Sequence, residues 1–167
     1  MTTGAFYGYY KSKEKLFEAL VEPQYCFLLD CFQNAYEEFE ALPSARKPEA
    51  MNHISLSCML KMLHYAYKHR EECLLILCCA EGTKFAGMVD KMVEIETTAT
   101  NSYKEVLNEL GKPCPEIDPT LEHILITGIF HTFFELIIHE IPLSDAERYV
   151  KEMQTFYTAG WLKIMGQ

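Results

Sequence analysis

The sequence predicts an all-α fold, and three observations carry that prediction. Apolar residues recur at three- and four-residue steps over long stretches, with none of the strict alternation that marks a strand. The seven prolines and eight glycines among 167 residues cluster between the apolar blocks. Helix-start signals fall at block edges: Asp118 stands before Pro119, and Ser144 is followed three residues later by Glu147.

The first helix is expected over about 12–42. Ser12 can cap it, although Lys15 stands where a capping box would place an acid. Leu16, Leu20, Leu28, Phe32 and Phe39 mark its apolar face. Pro23 lies inside that stretch and predicts a kink or a join. After a loop at 43–48, a second helix at about 48–69 turns Met51, Ile54, Cys58, Met62, Leu63 and Ala66 inward. The third, 71–81, is apolar nearly all round, which predicts burial in a multi-helix body. The fourth, 84–110, carries the stripe Phe85, Met88, Val89, Met92, Ala99, Tyr103, Val106, Leu107 and Leu110, and Gly111 stops it. Asp118 and Pro119 open a fifth helix, apolar on most sides, that reaches about Glu140 before Pro142. Ser144 and Glu147 form a capping box for the sixth, whose face includes Tyr149, Val150, Met153, Phe156 and Trp161.

Hydrophobic residues are 49% of the chain and charged residues 23%, a globular composition. The net charge of −9 argues against a chain that is all nucleic-acid-binding surface, because such surfaces neutralise phosphates. It fits a short basic end on an acidic body. The seven cysteines are odd in number and have no CxxC spacing, and the opening MTTGAFYGYY, without a basic or apolar leader pattern, predicts no signal peptide. They read as reduced thiols in a cytoplasmic protein. The longest apolar stretch, 124–138, is interrupted by His131 and Glu135, so no membrane span is expected.

Residues 2–17 read T-T-G-A-F-Y-G-Y-Y-K-S-K-E-K-L-F. This segment resembles the end of the helix-turn-helix of TetR-family transcription regulators. The matching residues are Gly4, Phe6, Tyr7, Tyr10, Lys11, Ser12, Lys13, Glu14, Leu16 and Phe17. The resemblance implies a DNA-binding regulator, a repressor by type, that works as a homodimer. Thr2, Thr3, Gly4 and Tyr7 would face bases in the major groove, and Tyr9 and Lys13 would face the phosphate backbone. Phe6 and Tyr10 would anchor the recognition helix. The family carries a bulkier residue at Gly8 and a histidine at Tyr9, and it places two further helices, about forty residues, ahead of this motif. The resemblance thus assigns 1–22 to a partial DNA-reading head and 23–167 to a TetR-like effector-binding and dimerisation body. In such a body the last two helices pair with those of a second copy.

Candidate ligand residues come from the methionine-rich helices. Met59, Met62, Met88 and Met92, with Phe85, Tyr103, Phe130, His131 and Phe134, are expected to wall a pocket for an apolar small-molecule effector. His123, Thr127, His131, Glu135 and His139 recur every four residues and form a polar stripe on the apolar fifth helix. Three readings stand: a polar seam against a second copy, part of the effector pocket, or a metal site through His131, Glu135 and His139. Cys73, Cys78 and Cys79 read as buried and inert, and Cys114, in a loop, as the most reactive thiol. No phosphate-binding glycine loop, HExxH or nucleophile elbow occurs, so neither an enzyme nor a cofactor is expected. Beside the regulator stand two other readings. One is a module that dimerises and binds ligand without binding DNA. The other is a small metal or redox enzyme built on the histidine stripe.

Overall fold

The computed structural model describes residues 10–167. Among them the chain forms six α-helices and no strand. They are α1 (Lys13–Glu40), α2 (Lys47–Lys68), α3 (Arg70–Cys79), α4 (Met88–Glu109), α5 (Pro119–Ile138) and α6 (Leu143–Ile164), with a 3-10 turn at Ser44–Arg46. The all-α class is as predicted.

Helix α1 is the axle of the fold and packs on α2, α3 and α4. Ser12 caps it as expected, its Oγ accepting from the Lys15 amide at 3.3 Å. The helix runs unbroken through Pro23, so the boundary drawn at residue 22 falls inside one continuous element. Burial explains the continuity: Val21 and Leu28, on either side of the proline, are both fully buried in the main core. That core joins α1, α2, α3, α5 and the starts of α4 and α6. A smaller one gathers Phe39, Ile54, Tyr103, Val106, Leu107 and Met165, where the far ends of α1, α4 and α6 meet the start of α2. Between these elements Lys47 is buried against Glu40 (3.0 Å), and Glu122 of α5 is buried against Lys104 of α4 (2.8 Å).

Two helix starts differ from expectation. The fourth helix begins at Met88 rather than at 84, because Gly87 holds φ at 72°, a left-handed conformation that cannot lie inside an α-helix. Residues 84–87 instead form a turn. It buries Phe85 edge-on against Tyr25, with ring centroids 5.2 Å apart, and Lys84 pairs with Glu18 and Glu22 of α1. The sixth helix begins one residue before Ser144, with Pro142 at the cap position and no side-chain cap bond. The expected capping box does not form, because Glu147 reaches across to His64 of α2 at 2.6 Å. The fifth helix starts as predicted: Asp118 accepts from the Thr120 and Leu121 amides at 2.8 and 3.2 Å, and these bonds hold its carboxyl below the usual range.

The C-terminus of α5 is closed from outside. Arg70 donates through Nε and Nη2 to the Ile137 carbonyl (3.1 and 2.9 Å), and the Tyr67 hydroxyl donates to the Leu136 carbonyl (3.1 Å). These bonds satisfy carbonyls that the helix end leaves without partners. Glu140 follows with φ at 56°, the left-handed position normally given to glycine. Glu140→Gly is expected to stabilise the fold by about 1 kcal/mol, read by urea denaturation, because the side chain is strained there. Its carboxylate is exposed in the ion pair with the half-buried Arg70, so the pair offsets little. A neutral or destabilising result would show that the Glu140–Arg70 pair outweighs the strain.

Helix α5 also alters one sequence expectation. By length and composition it is apolar enough to cross a membrane, with a mean hydropathy of 1.5 over its most apolar window. It packs chiefly along α4, with Phe130, Phe133, Phe134 and Ile137 buried.

Candidate functional site

A cavity of about 190 Å³ lies among α1, α2, α4, α5 and α6 and draws its walls from both cores. Each helix contributes through its own periodicity. Phe32, Tyr36 and Phe39 lie one turn apart on α1, and Met59 and Met62 share a face of α2. Tyr103 reaches in from α4, Phe130 and Phe133 from α5, and Trp161 from α6. Phe32 and Phe130 meet edge to face across the cavity wall with centroids 5.2 Å apart. Polar groups collect on one side, where Gln154 and Thr158 of α6 bond the backbone and side chain of Asn52 on α2.

One lining residue departs from this pattern. Glu96 of α4 is the only acidic or basic residue among the described residues that line the cavity. It keeps some accessible surface, and the protein gives it neither a hydrogen bond nor an ion pair among the described residues. The surrounding protein pushes its carboxyl up to about 7 by burial. An unpaired carboxylate among aromatic rings is disfavoured, so a proton or a cation is what this position can hold.

Of the residues expected to wall a pocket, Met59, Met62, Tyr103 and Phe130 line the cavity. Phe85, Met88, Met92 and Phe134 do not; they are buried in the main core. His131 does not line it either and is exposed. The polar stripe turns away from the cavity as a whole: His123, Glu135 and His139 are exposed, and Glu135 pairs with His139 at 2.6 Å. No cluster able to hold a metal occurs among the described residues. Within the stripe, only the Thr127 hydroxyl is buried, and it has no partner.

Sequence reasoning missed Glu96, yet a signal was present. Position 96 falls on the stripe of α4, four residues after Met92, three before Ala99 and seven before Tyr103. A charged residue on an apolar stripe is either paired in the core or aimed into a cavity, and here it is aimed into a cavity.

The thiols differ from expectation as well. Cys73 is buried, and burial raises its thiol to about 12, but Cys78 and Cys79 are exposed. The ten-residue α3 buries only the face of Cys73 and Ile76. Cys114 is half-buried, and burial raises its thiol, the opposite of an activated cysteine. Cys31 and Cys58 face each other between α1 and α2 with sulfurs 4.0 Å apart.

Of the residues the family resemblance assigns to DNA, Lys13 is exposed in the first turn of α1. Thr2, Thr3, Gly4, Tyr7 and Tyr9 lie outside the described residues. On the last two helices several large apolar side chains remain uncovered: Leu121 is 46%, Ile124 59% and Phe156 73% exposed. Comparison with protein-family models, with curated proteins and with solved structures gives no match.

Proposed function

We propose that this chain is the effector-binding and dimerisation body of a ligand-responsive DNA-binding regulator of TetR type, working in the cytoplasm as a repressor. The observation that carries the reading is the path of α1. Its first residues continue the segment 2–17 that resembles a DNA-reading head, and its last turns supply Phe32, Tyr36 and Phe39 to the cavity wall. The helix has 28 residues and spans about 42 Å, so a ligand displacing the cavity wall can move the far end. Such coupling requires that effector and operator favour different arrangements of this lever.

The partner surface follows from α5 and α6. Uncovered Leu121, Ile124 and Phe156 suit burial against the same helices of a second copy, with the exposed His123 and His131 as a polar seam. Ile124→Glu combined with Phe156→Glu is expected to turn a dimer into a monomer in analytical ultracentrifugation, with the helical content unchanged. A variant that stays dimeric would remove α5 and α6 as the interface.

The net charge of −9 favours a second reading, a ligand-binding dimer that does not hold DNA. Selection of random duplex DNA by the 167-residue chain, followed by mobility shift at two salt concentrations, separates the two. Sequence-specific, salt-sensitive binding supports the regulator. Its absence supports the module without DNA.

A further inference from the structure

We propose that the cavity selects a lipophilic organic cation, an aralkyl ammonium by chemical class, with the ammonium against Glu96 and the hydrocarbon against the aromatic walls. This deepens the reading of the cavity as an effector site and rests on it. Three observations converge. Glu96 is the only acidic or basic residue among the described residues of the lining. Two other shielded acids of this fold are paired: Glu122 holds Lys104, and Glu40 holds both Lys47 and the Ser102 hydroxyl. Glu96 has no such partner among the described residues, so its counter-charge is left to come from outside. The third observation is the composition of the wall. Phe32, Tyr36, Tyr103, Phe130, Tyr157 and Trp161 surround the space, and the faces of such rings attract ammonium groups.

The ligand chemistry follows by elimination. An anion would be repelled by the carboxylate. A neutral apolar ligand would strip water from Glu96 and give nothing back, unless the carboxyl took up a proton. A cation offsets that desolvation and keeps the carboxylate ionised. The volume sets the size: about 190 Å³ is somewhat larger than the ~150 Å³ void that admits one benzene ring. One ring with a short ammonium arm fits.

The other ionisable groups facing the cavity are three phenols and one thiol: Tyr36 on α1, Tyr103 on α4 and Tyr157 on α6, and Cys58 on α2. Burial raises the Tyr103 phenol, and the contact with Cys31 together with burial raises the Cys58 thiol. From α5 the wall is Ile129, Phe130 and Phe133, none of them ionisable. A change in ligand affinity around neutral pH therefore reports Glu96.

The test compares benzyltrimethylammonium with neopentylbenzene, its uncharged isostere, on the full chain. Trp161 is the single tryptophan and lines the cavity, so its fluorescence reads occupancy directly. At pH 8 the cation is expected to bind at least about tenfold more tightly than the isostere, and the preference to shrink below pH 6 as Glu96 protonates. Glu96→Gln is expected to abolish the preference and its pH dependence while both compounds still bind. Equal or tighter binding of the isostere, or a preference that survives in Glu96→Gln, overturns the cation assignment and leaves the effector site standing. No response to either compound overturns both. If Glu96→Gln fails to fold, the pH series on the unsubstituted chain decides the same question.

Discussion

Phe133→Ala is expected to lower the stability of the fold by about 4 kcal/mol, near the upper end for truncation of one buried side chain. The ring is 1% exposed and meets Phe134 edge to face, with centroids 5.2 Å apart. Removing it forfeits the transfer free energy of a buried phenyl group and its dispersion contacts. It also leaves a void that merges with the existing cavity, because Phe133 forms part of that wall. Helix α5 cannot close the gap by moving inward. Its C-terminus is held by Arg70 and Tyr67, and its N-terminal half by the Glu122–Lys104 pair. Phe133→Leu keeps most of the volume and is expected to lose no more than about 1.5 kcal/mol. Urea denaturation of the two variants checks both numbers. A loss below about 1 kcal/mol for the alanine variant would mean that the ring is not packed as described.

The aromatic cluster on α5 also shows where the sequence is readable and where it is not. The helix itself is plain, since Asp118, Pro119 and Pro142 bracket an apolar block. Its phase is not. Phe130, Phe133, Phe134 and Ile137 are all apolar and all buried, so periodicity cannot say which ring faces the cavity and which faces the core. Phe130 and Phe133 line the cavity, whereas Phe134 does not. The stripe of α4 is the opposite case. It is narrow enough to give the helix a definite inward face, and that face carries Glu96. The misplaced start of α6 has a tertiary cause. Glu147 has the spacing of a capping-box acid, but the facing His64 lies 83 residues away in sequence and wins the bond. Short-range rules do not see such a competitor. The start of α4 was legible in principle, because Gly87 offers a left-handed position just before Met88.

Glu96 gives the second large effect, a stability that falls as pH rises through neutrality. Its carboxyl titrates at about 7 in the folded chain, against an ordinary value of 4.5. Between those values the folded state binds more protons than the unfolded state, so stability decreases with pH across that window. Below pH 4.5 the group is protonated in both states and contributes no pH slope. Above about 7 it is ionised in both, and the full penalty of an unpaired carboxylate in an apolar cavity is present. The penalty is about 2 kcal/mol once water in the cavity is allowed to screen the charge. Glu96→Gln is therefore expected to match the parent at pH 4 and to exceed it by about 2 kcal/mol at pH 8, measured by urea denaturation in matched buffers. An unchanged difference across that range would mean that the carboxylate is solvated or paired, and that the cavity has no electrostatic deficit for a ligand to fill. A residue that destabilises its own fold at neutral pH is best explained by what it binds, because leucine or methionine at position 96 would complete the stripe of α4 without penalty. The same cation that holds Glu96 ionised should therefore return the lost stability. Thermal unfolding at pH 8 would show this as a melting temperature that rises more with benzyltrimethylammonium in the parent chain than in Glu96→Gln.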